Sequence, residues 1–411
     1  MKVIDCGTLI DGHSKDALSD ARVVVDGTRI EAIGTREDVS IPDGAKVIDH
    51  RDKTVLPGLI DAHVHLAGWR SMDPNDWVMQ DIAHGAARAT SDLRRLLANG
   101  FTTVRDVGSR TGPGLRAAVS EGEIPGSRIF TSQLGLSQTA GHEDVHYMPY
   151  DWVREDGTHL AVLADGVAEC RKETRKRLRM GVDLIKIQTT GGVLSEKDEP
   201  DQPQYTPEEI SAITEEAHRV DIPVAAHAQH STGIELALNN GVDTIEHGFV
   251  LDEATIDLML ETDATLVPTL WALQQIVERG EEFGVPDYGI RKAEEAVETH
   301  LDSIRRAYSA GVPIALGTDI VGAEPLGPHG RNVEEAELYV TEVGMAEMDA
   351  IRAATGHAAR TVPADDIGTL EEGNRADLFA VPGNPLDDIT ALRAVDTVYK
   401  DGSPVEINGP M

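Results

Sequence analysis

Two histidines, His63 and His65, are separated by one residue and follow an apolar run over residues 55–60. Side chains on a β-strand alternate between its two faces, so two residues at positions i and i+2 leave the strand on the same side. Neutral imidazole is the most common protein ligand for zinc-like cations. Because His-x-His pairs also arise by chance, this pair alone indicates a metal site only weakly.

Four further side chains that can bind a metal or move a proton each end another apolar, strand-like run. They are Lys186, His227, His247 and Asp319. In a parallel sheet or barrel, functional groups come from the carboxyl ends of several strands. Each also has a structural alternative, such as a satisfied core histidine, a lysine extending from a strand end or a helix-capping aspartate. Their shared position favours a single site.

Strand and helix signals alternate through the middle of the chain, which predicts a parallel sheet with crossover helices and thus an α/β fold. Eight strands are expected, near residues 55–62, 102–106, 128–135, 183–188, 223–227, 243–247, 264–268 and 313–319. Eight strands favour closure into a barrel over an open sheet. Helices are expected near residues 83–98, 207–220 and 291–310. The long segment 135–166 predicts a lid or substrate loop.

Both ends of the chain carry short apolar runs separated by turn residues, a pattern typical of small antiparallel β-structure. These runs lie at residues 2–5, 20–34 and 45–49, and at 376–381, 395–400 and 404–407. We predict that the two termini, residues 1–55 and 366–411, form one small β-sandwich domain. Residues 56–365 would form a distorted (β/α)8 barrel beside it.

Acidic residues dominate the charge balance, with 71 Asp and Glu against 37 Lys and Arg and a formal net charge of -34. Nucleic acid and anionic membranes should repel such a chain, so we expect neither as a partner. The sequence shows no apolar stretch of membrane-spanning length and no signal peptide, which predicts a cytoplasmic protein.

The acidic residues are spread along the chain and aromatic residues make up only 4% of it, which indicates adaptation to high salt. At molar salt the Debye length is about 3 Å, so repulsion among the acids is screened. We expect dialysis of the purified protein to low salt to reduce its secondary structure, measured by circular dichroism. An unchanged spectrum would instead indicate an ordinary acidic surface.

The order His-x-His, Lys, His, His, Asp along alternating strands and helices resembles the amidohydrolase superfamily, the metal-dependent hydrolases built on a distorted (β/α)8 barrel. The resemblance covers nearly the whole chain, from the strand-rich N-terminus through residues 56–65 to the tail at residues 366–379. Within it, four segments are similar to the branch that contains prolidase-like dipeptidases and imidazolonepropionase-like enzymes. They are residues 139–142, 185–195, 245–248 and 268–270.

The resemblance implies a centre that holds two divalent metal ions, and zinc is the metal we expect. His63, His65 and Asp319 would hold the more buried ion. His227 and His247 would hold the second. Homo-oligomers are common in this superfamily, so the resemblance leaves a homo-oligomer open, although the sequence itself does not give the oligomeric state.

The resemblance also implies that Lys186 is N6-carboxylated and bridges the two ions. A lysine ammonium cannot bind a cation, but the neutral amine reacts with carbon dioxide to give a carbamate with two oxygens. This reaction requires a lowered lysine pKa, which burial and neighbouring cations both produce. An unmodified lysine would leave a site for one ion.

Water held by one or two divalent cations loses a proton near neutral pH, so hydrolysis is the expected reaction. Asp319 would take the proton of the water and return it to the leaving nitrogen. His142 would donate a hydrogen bond to the developing oxyanion or hold the substrate, with a loop histidine bonded to its own backbone as the alternative. Gly191, Gly192 and Gln229 are further candidate substrate contacts, although the two glycines could equally form a tight turn.

We expect a metal-bound hydroxide to cleave the amide C-N bond of a small molecule, a dipeptide or an N-acyl amino acid. Gln229 replaces a tyrosine common in the dipeptidase-like branch, which weakens the case for Xaa-Pro specificity. Cyclic amide hydrolysis of the imidazolonepropionase type is the alternative, disfavoured by Lys186. Lactone or phosphotriester hydrolysis stays open. A non-catalytic scaffold is an alternative from another class, against which the retained ligand positions argue.

Most remaining histidines, His300 among them, lie in helical or polar contexts and are expected at the surface or as capping groups. His146 and His329 are further candidates for contacts with the substrate cavity.

Overall fold

The computed structural model describes residues 1–156, 158, 160–324 and 326–406. The end of the strand predicted at residues 404–407, and with it the last residues of the predicted terminal domain, lie outside this range. His159, which its polar context places among the surface histidines, lies outside it too.

Strands and helices alternate along the chain, as the sequence predicts. The strands are β1 (Lys2–Leu9), β2 (Leu18–Asp26), β3 (Arg29–Thr35), β4 (Lys46–Pro57), β5 (Leu59–Val64), β6 (Phe101–Asp106), β7 (Arg128–Thr131), β8 (Gly135–Ser137), β9 (Ala161–Leu163), β10 (Ile185–Gln188), β11 (Val224–His230), β12 (Thr244–Val250), β13 (Thr265–Val267), β14 (Leu378–Pro382), β15 (Thr397–Lys400) and β16 (Ser403–Pro404).

The α-helices are α1 (Pro74–Met79), α2 (Ile82–Ala98), α3 (Gly112–Ser120), α4 (Tyr150–Asp156), α5 (Gly166–Met180), α6 (Pro207–His218), α7 (Ser231–Leu238), α8 (Glu253–Glu261), α9 (Leu270–Arg279), α10 (Asp287–Ala310), α11 (Glu334–Leu338), α12 (Glu347–Ala353) and α13 (Gly356–Ala359). A π-helical turn covers Tyr339–Val343, and a 3-10 helix covers Ile389–Arg393. None of the described helices is long and apolar enough to cross a membrane.

Strands from both ends of the chain share one sheet. Within the described residues it has seven strands in the order β16-β15-β14-β4-β1-β2-β3. The antiparallel pairing of β14 with β4, in which Phe379 lies opposite Leu56, joins the tail to the start of the chain. The expected pairing of strands from both termini is confirmed, and these strands form a single continuous sheet; the β-sandwich domain itself stays a prediction. The domain limits at residues 55 and 366 stay a prediction.

The middle of the chain forms the barrel. Two parallel sheets supply its wall, β5-β6-β7 and β13-β12-β11-β10-β8-β9. At one junction the segment 313–320 lies between them, where Ile314 bridges to Leu266 and Ile320 to Val64. At the other junction the amide of Asp183 donates to the carbonyl of Thr131 over 2.9 Å. The predicted distorted (β/α)8 barrel is confirmed.

The barrel segment 313–320 differs from the regular strand expected there. Backbone hydrogen bonds join it to both neighbours, as from the amide of Ala62 to the carbonyl of Leu316, but they form isolated bridges at Ile314 and Ile320 instead of a continuous ladder. Asp319 adopts a left-handed conformation with a φ of 58°, which interrupts a regular ladder. The irregularity lies where the chain presents a candidate catalytic carboxylate.

Local sequence explains where the supporting helices begin and end. At the start of α6, Thr206 and Glu209 form a capping box in which each side chain accepts from the other residue's backbone amide. Helices α5 and α10 end at Gly181 and Gly311, whose φ angles are 74° and 89°.

The predicted helices near 83–98, 207–220 and 291–310 correspond to α2, α6 and α10. The predicted lid contains β8, α4 and β9.

Candidate active site

The carboxyl ends of the barrel strands surround a cavity of about 670 Å³. Most of the site residues predicted from the sequence line it, namely His63, His65, His142, Lys186, His227, Gln229, His247 and Asp319. Gly191 and Gly192 do not belong to the described lining and lie directly behind it. The position of the cavity matches the end of the barrel at which active sites of this architecture are built.

The most compact group in the cavity consists of His63, His65 and Asp319. One potential ligand atom from each lies within 4.8 Å of the others. Oδ1 of Asp319 is 3.4 Å from Nε2 of His63 and 3.1 Å from Nε2 of His65. Burial acts to raise the pKa of the Asp319 carboxyl, but the two histidines outweigh it and hold this pKa well below its usual range.

His227 and His247 complete a cluster of imidazole rings beside this group. The ring centroids of His227 and His247 are 4.5 Å apart, and those of His63 and His247 are 5.1 Å apart. Burial lowers the pKa of His227 and of His247 well below the usual value. Both rings are therefore neutral, which is the form of imidazole that binds metals.

In His63, His65, His227 and His247, one ring nitrogen lies within hydrogen-bond distance of a protein oxygen. The pairs are Nδ1 of His63 with Glu246 (2.7 Å), Nδ1 of His65 with the carbonyl of Gly108 (2.8 Å), Nδ1 of His247 with Thr269 (2.8 Å) and Nε2 of His227 with the carbonyl of Gly191 (3.1 Å). Metal-bound histidines are oriented by such contacts to the second nitrogen. The donor set and its supporting contacts therefore fit divalent metal ions.

Lys186 lies on β10 within the same cavity and is only 4% exposed. Its Nζ forms no hydrogen bond or ion pair with the residues that the structure describes. Burial lowers the pKa of Lys186 to about 8, although the carboxylates of Glu246 and Asp319 act in the opposite direction. A substantial fraction of this amine is therefore neutral near physiological pH.

A buried ion pair behind His63 was not predicted from the sequence. Oε1 of Glu246 accepts hydrogen bonds from Nη2 of Arg105 over 2.7 Å and from Oγ1 of Thr244 over 2.6 Å. Both charged side chains are at most 1% exposed. The signal in the sequence was a charged residue within each of two strand-like segments, Arg105 in β6 and Glu246 in β12. Glu246 connects this pair to the imidazole of His63.

The ring of His142 is closely packed against two neighbours. It stacks on His227, with centroids 4.2 Å apart and an angle of 20° between the planes. It also covers Gly192, where a Cβ atom would lie only 2.2 Å from the His142 ring. Nδ1 of His142 is 2.9 Å from Oγ of Ser195, whose hydroxyl donates to the carboxylate of Asp198. Gly192 is therefore required for the placement of His142.

Lys292 of α10 anchors the loop of residues 191–198, which carries these contacts. This role of Lys292 was also not predicted from the sequence. The Nζ of Lys292 donates to the carbonyls of Gly192 and Ser195 over 3.0 and 2.7 Å, and to the carbonyl of Asp198. This side chain is fully buried. Since the carbonyl of Gly191 accepts from His227, the loop positions two histidines of the site.

Three tryptophans line the cavity, and we call them together the aromatic wall: Trp69, Trp77 and Trp152. The whole chain has 4 tryptophans, so most of them lie at this cavity. The rings of Trp69 and Trp77 stack, with centroids 4.3 Å apart. Other apolar lining residues include Met72, Met79, Ile82, Tyr147, Phe249 and Tyr288. This apolar lining suits a bulky apolar group.

Gln188 and Gln229 add polar groups to the cavity lining. Their Oε1 atoms are buried and have no hydrogen-bond partner in the described part of the chain. A buried polar atom without a partner costs about 1–3 kcal/mol. A substrate donor in the cavity could satisfy either atom.

Of the other histidines discussed above, one lines the cavity and two lie behind the residues that line it. His146 lines the cavity, whereas His329 lies beneath it with Nε2 3.4 Å from the carbonyl of His65. The surface or capping role expected for His300 is wrong, because this residue is 1% exposed and its Nε2 lies 3.0 Å from the carbonyl of His247. Helical context alone did not show that this face of α10 packs against β12.

Comparisons with known proteins agree with the resemblance seen in the sequence. An ochratoxinase of Aspergillus niger is 33% identical, over 97% of this chain and 85% of that protein. Its crystal structure gives a TM-score of 0.90 over 98% of this chain and 95% of that chain. A crystal structure of a Xaa-Pro dipeptidase with bound methionine in the active site is 36% identical, with a TM-score of 0.87 over 98% of this chain and 99% of that chain.

An imidazolonepropionase of Cereibacter sphaeroides is 24% identical, over 90% of each chain. The predicted similarity to prolidase-like and imidazolonepropionase-like proteins is therefore confirmed. The sequence profile of the amidohydrolase family matches residues 54–405, which include the barrel and the strands β14, β15 and β16 of the terminal sheet. The chain belongs to the amidohydrolase family.

Proposed function

We propose that this protein is a metal-dependent hydrolase that cleaves the amide C-N bond of a dipeptide or an N-acyl amino acid. The observation that carries the proposal is the convergence of His63, His65 and Asp319 in a cavity lined in part by apolar residues. Similarity to a Xaa-Pro dipeptidase supports dipeptides as substrates. The aromatic wall favours a bulky apolar group next to the scissile bond.

Two divalent ions, zinc by preference, would be held by the six side chains that the sequence predicts. Zinc suits a donor set of imidazole nitrogens and carboxylate oxygens. A carboxylated Lys186 would bridge the ions, and its burial and pKa of about 8 favour the neutral amine which that modification needs. When bound, the ions would lower the pKa of a water molecule and polarise the scissile carbonyl.

Residues of the chain would transfer the proton and bind the substrate. Asp319, kept ionised by His63 and His65, would accept a proton from the attacking water and return it to the leaving nitrogen. His142, fixed by its stack on His227 and by Ser195, would hold the polar end of the substrate. The apolar part of the substrate would lie along the aromatic wall.

Glu246→Gln tests the support of the metal site. The variant keeps the size of the side chain but removes the charge that faces Arg105 and His63. We expect about 10- to 100-fold weaker metal binding, because contacts to the second nitrogen of a metal-bound histidine have effects of this size. Competition against a chelator of known affinity measures the change.

Thr244→Val is the matched control for this variant. Thr244 contacts the same carboxylate of Glu246 but not His63, and valine has nearly the same shape. Metal affinity should stay within a few-fold of the wild type in this control. Unchanged affinity in Glu246→Gln would contradict the role of Glu246 in orienting His63.

The proposed reaction is tested with metal-loaded protein and a panel of substrates. The panel contains Xaa-Pro dipeptides and N-acyl amino acids with small and bulky apolar groups, together with a cyclic amide, a lactone and a phosphotriester. Released products are measured by liquid chromatography and mass spectrometry. We expect turnover of the acyclic amides, highest for those with bulky apolar groups. Turnover confined to the cyclic amide, the lactone or the phosphotriester would contradict the proposal.

The cytoplasmic location and the adaptation to high salt stay predictions, and a homo-oligomer stays open. Assays in both low and high salt therefore belong with the substrate panel.

A further inference from the structure

The carboxylate of Glu143 faces the catalytic cavity, and His142 is the one basic residue within 4 Å of it in the described part of the chain. Glu143 lines the cavity, and its side chain is 16% exposed. Its carboxylate accepts no hydrogen bond from any residue in the described ranges. The basic atom within 4 Å of it is Nε2 of His142, at 3.9 Å from Oε1, which is too long for a hydrogen bond. Burial raises the pKa of this carboxyl by more than His142, His65 and Lys186 lower it, so the ionised form is only partly stabilised by the protein.

Glu143 also lies close to the place where a scissile bond would be. His142, its neighbour in the chain, stacks on the candidate metal ligand His227 at 4.2 Å. In a dipeptide the α-nitrogen is two bonds from the scissile carbonyl carbon, a distance of about 2.5 Å. A group that recognises this nitrogen must therefore lie near the metal ligands, and Glu143 is near enough to His65, Lys186 and Asp319 for their charges to affect the pKa of its carboxyl.

The hydrogen bonds of His142 provide a second acceptor at the same point. The Ser195 hydroxyl donates to the carboxylate of Asp198, so Oγ of Ser195 accepts from Nδ1 of His142 over 2.9 Å. In the neutral ring this leaves Nε2 as an acceptor, 3.9 Å from Oε1 of Glu143. One nitrogen that carries several protons could lie about 2.8 Å from both acceptors.

We propose that Glu143 and Nε2 of His142 form a subsite for the free α-ammonium group of a dipeptide. The inference rests on the proposed function and narrows its substrate class from all N-acyl amino acids to dipeptides with a free amino terminus. An ammonium supplies the positive charge that the buried carboxylate of Glu143 lacks. An acyl group without nitrogen at this position leaves that carboxylate unpaired, which disfavours binding.

The test uses two compounds that differ only in this group. Phenylalanyl-proline carries the α-ammonium, and 3-phenylpropanoyl-proline replaces it with hydrogen. We expect the wild type to favour the dipeptide by about 10-fold or more in kcat/KM. Glu143→Gln should remove this preference by lowering kcat/KM for the dipeptide alone. Glu196→Gln is the matched control, because Glu196 is a second glutamate of the cavity lining and is exposed; this variant should keep the preference.

A binding measurement separates this inference from the proposed function. Ketomethylene analogues of both compounds lack the scissile nitrogen and cannot be cleaved, so isothermal titration gives their affinities whether or not the protein turns over amides. A preference of about 10-fold for the ammonium-bearing analogue, lost in Glu143→Gln, would support the subsite. Equal affinities, or a preference that survives in Glu143→Gln, would overturn it. Absence of cleavage of both substrates by the wild type would count against the proposed function instead.

Discussion

The Asp319→Asn variant is expected to lose activity by roughly 10²- to 10⁴-fold in kcat, the range attributed to a positioned general acid-base group. Asparagine has the size of aspartate but cannot accept the proton of the attacking water. The substitution is mild for the backbone, because asparagine tolerates the left-handed conformation in which Asp319 has a φ of 58°. Steady-state kinetics and circular dichroism of the purified variant measure the two effects.

Metal content of the same preparation separates proton transfer from metal binding. If the variant keeps its metal and its circular dichroism spectrum while kcat falls, the loss lies in proton transfer. Glu196→Gln, which removes an exposed carboxylate from the same cavity, should retain near-normal kcat. Near-normal activity in Asp319→Asn would contradict the role assigned to Asp319.

The second large effect is expected for Lys186→Ala. Removing the amine removes the proposed bridge between the ions, so the variant should bind less metal and hydrolyse its substrate at least about 100-fold more slowly. The alanine leaves space in the cavity where Lys186 was buried. Bicarbonate or a short carboxylic acid should enter that space, supply two oxygens and restore part of both the metal content and the rate.

Lys186→Met provides the control for this rescue. Methionine lacks the amine but fills a similar volume, so the same acids should not restore its activity. Undiminished metal content in Lys186→Ala would contradict a bridging lysine. Rescue that is equally strong in both variants would show that the acids act elsewhere.

The predictable part of this site was local in sequence. His63 lies on β5 and His65 directly follows that strand, and Lys186, His227 and His247 lie on buried strands whose apolar runs mark them. Because parallel strands present their carboxyl ends at one end of a barrel, the strand pattern alone indicated that these side chains meet. The alternation of strands and helices gave the barrel for the same reason.

The parts that were missed depend on contacts between residues far apart in the chain. Glu246 meets His63 across 183 residues, and Lys292 meets Ser195 across 97 residues. Such pairs have no spacing rule, unlike the alternation within one strand. His300 was misplaced because a helical pattern does not show which neighbour covers each face. The irregular segment before Asp319 was missed because its left-handed turn is fixed by tertiary contacts.

The roles of the two glycines show the same limit. Sequence context suggested that Gly191 and Gly192 approach the substrate. In the structure the carbonyl of Gly191 accepts from His227, and Gly192 leaves room for the ring of His142. A glycine indicates a close approach, but the approaching group is known only once the fold brings it there.

The central claim is a centre with two metal ions in this cavity, and metal content per chain tests it most directly. Protein purified in high salt without chelators is analysed by elemental mass spectrometry, and activity is followed as metal is removed and restored. We predict about two equivalents of a divalent transition metal per chain, with activity lost and regained in parallel. A chain that binds no metal after reconstitution, or that stays active without it, would contradict the claim.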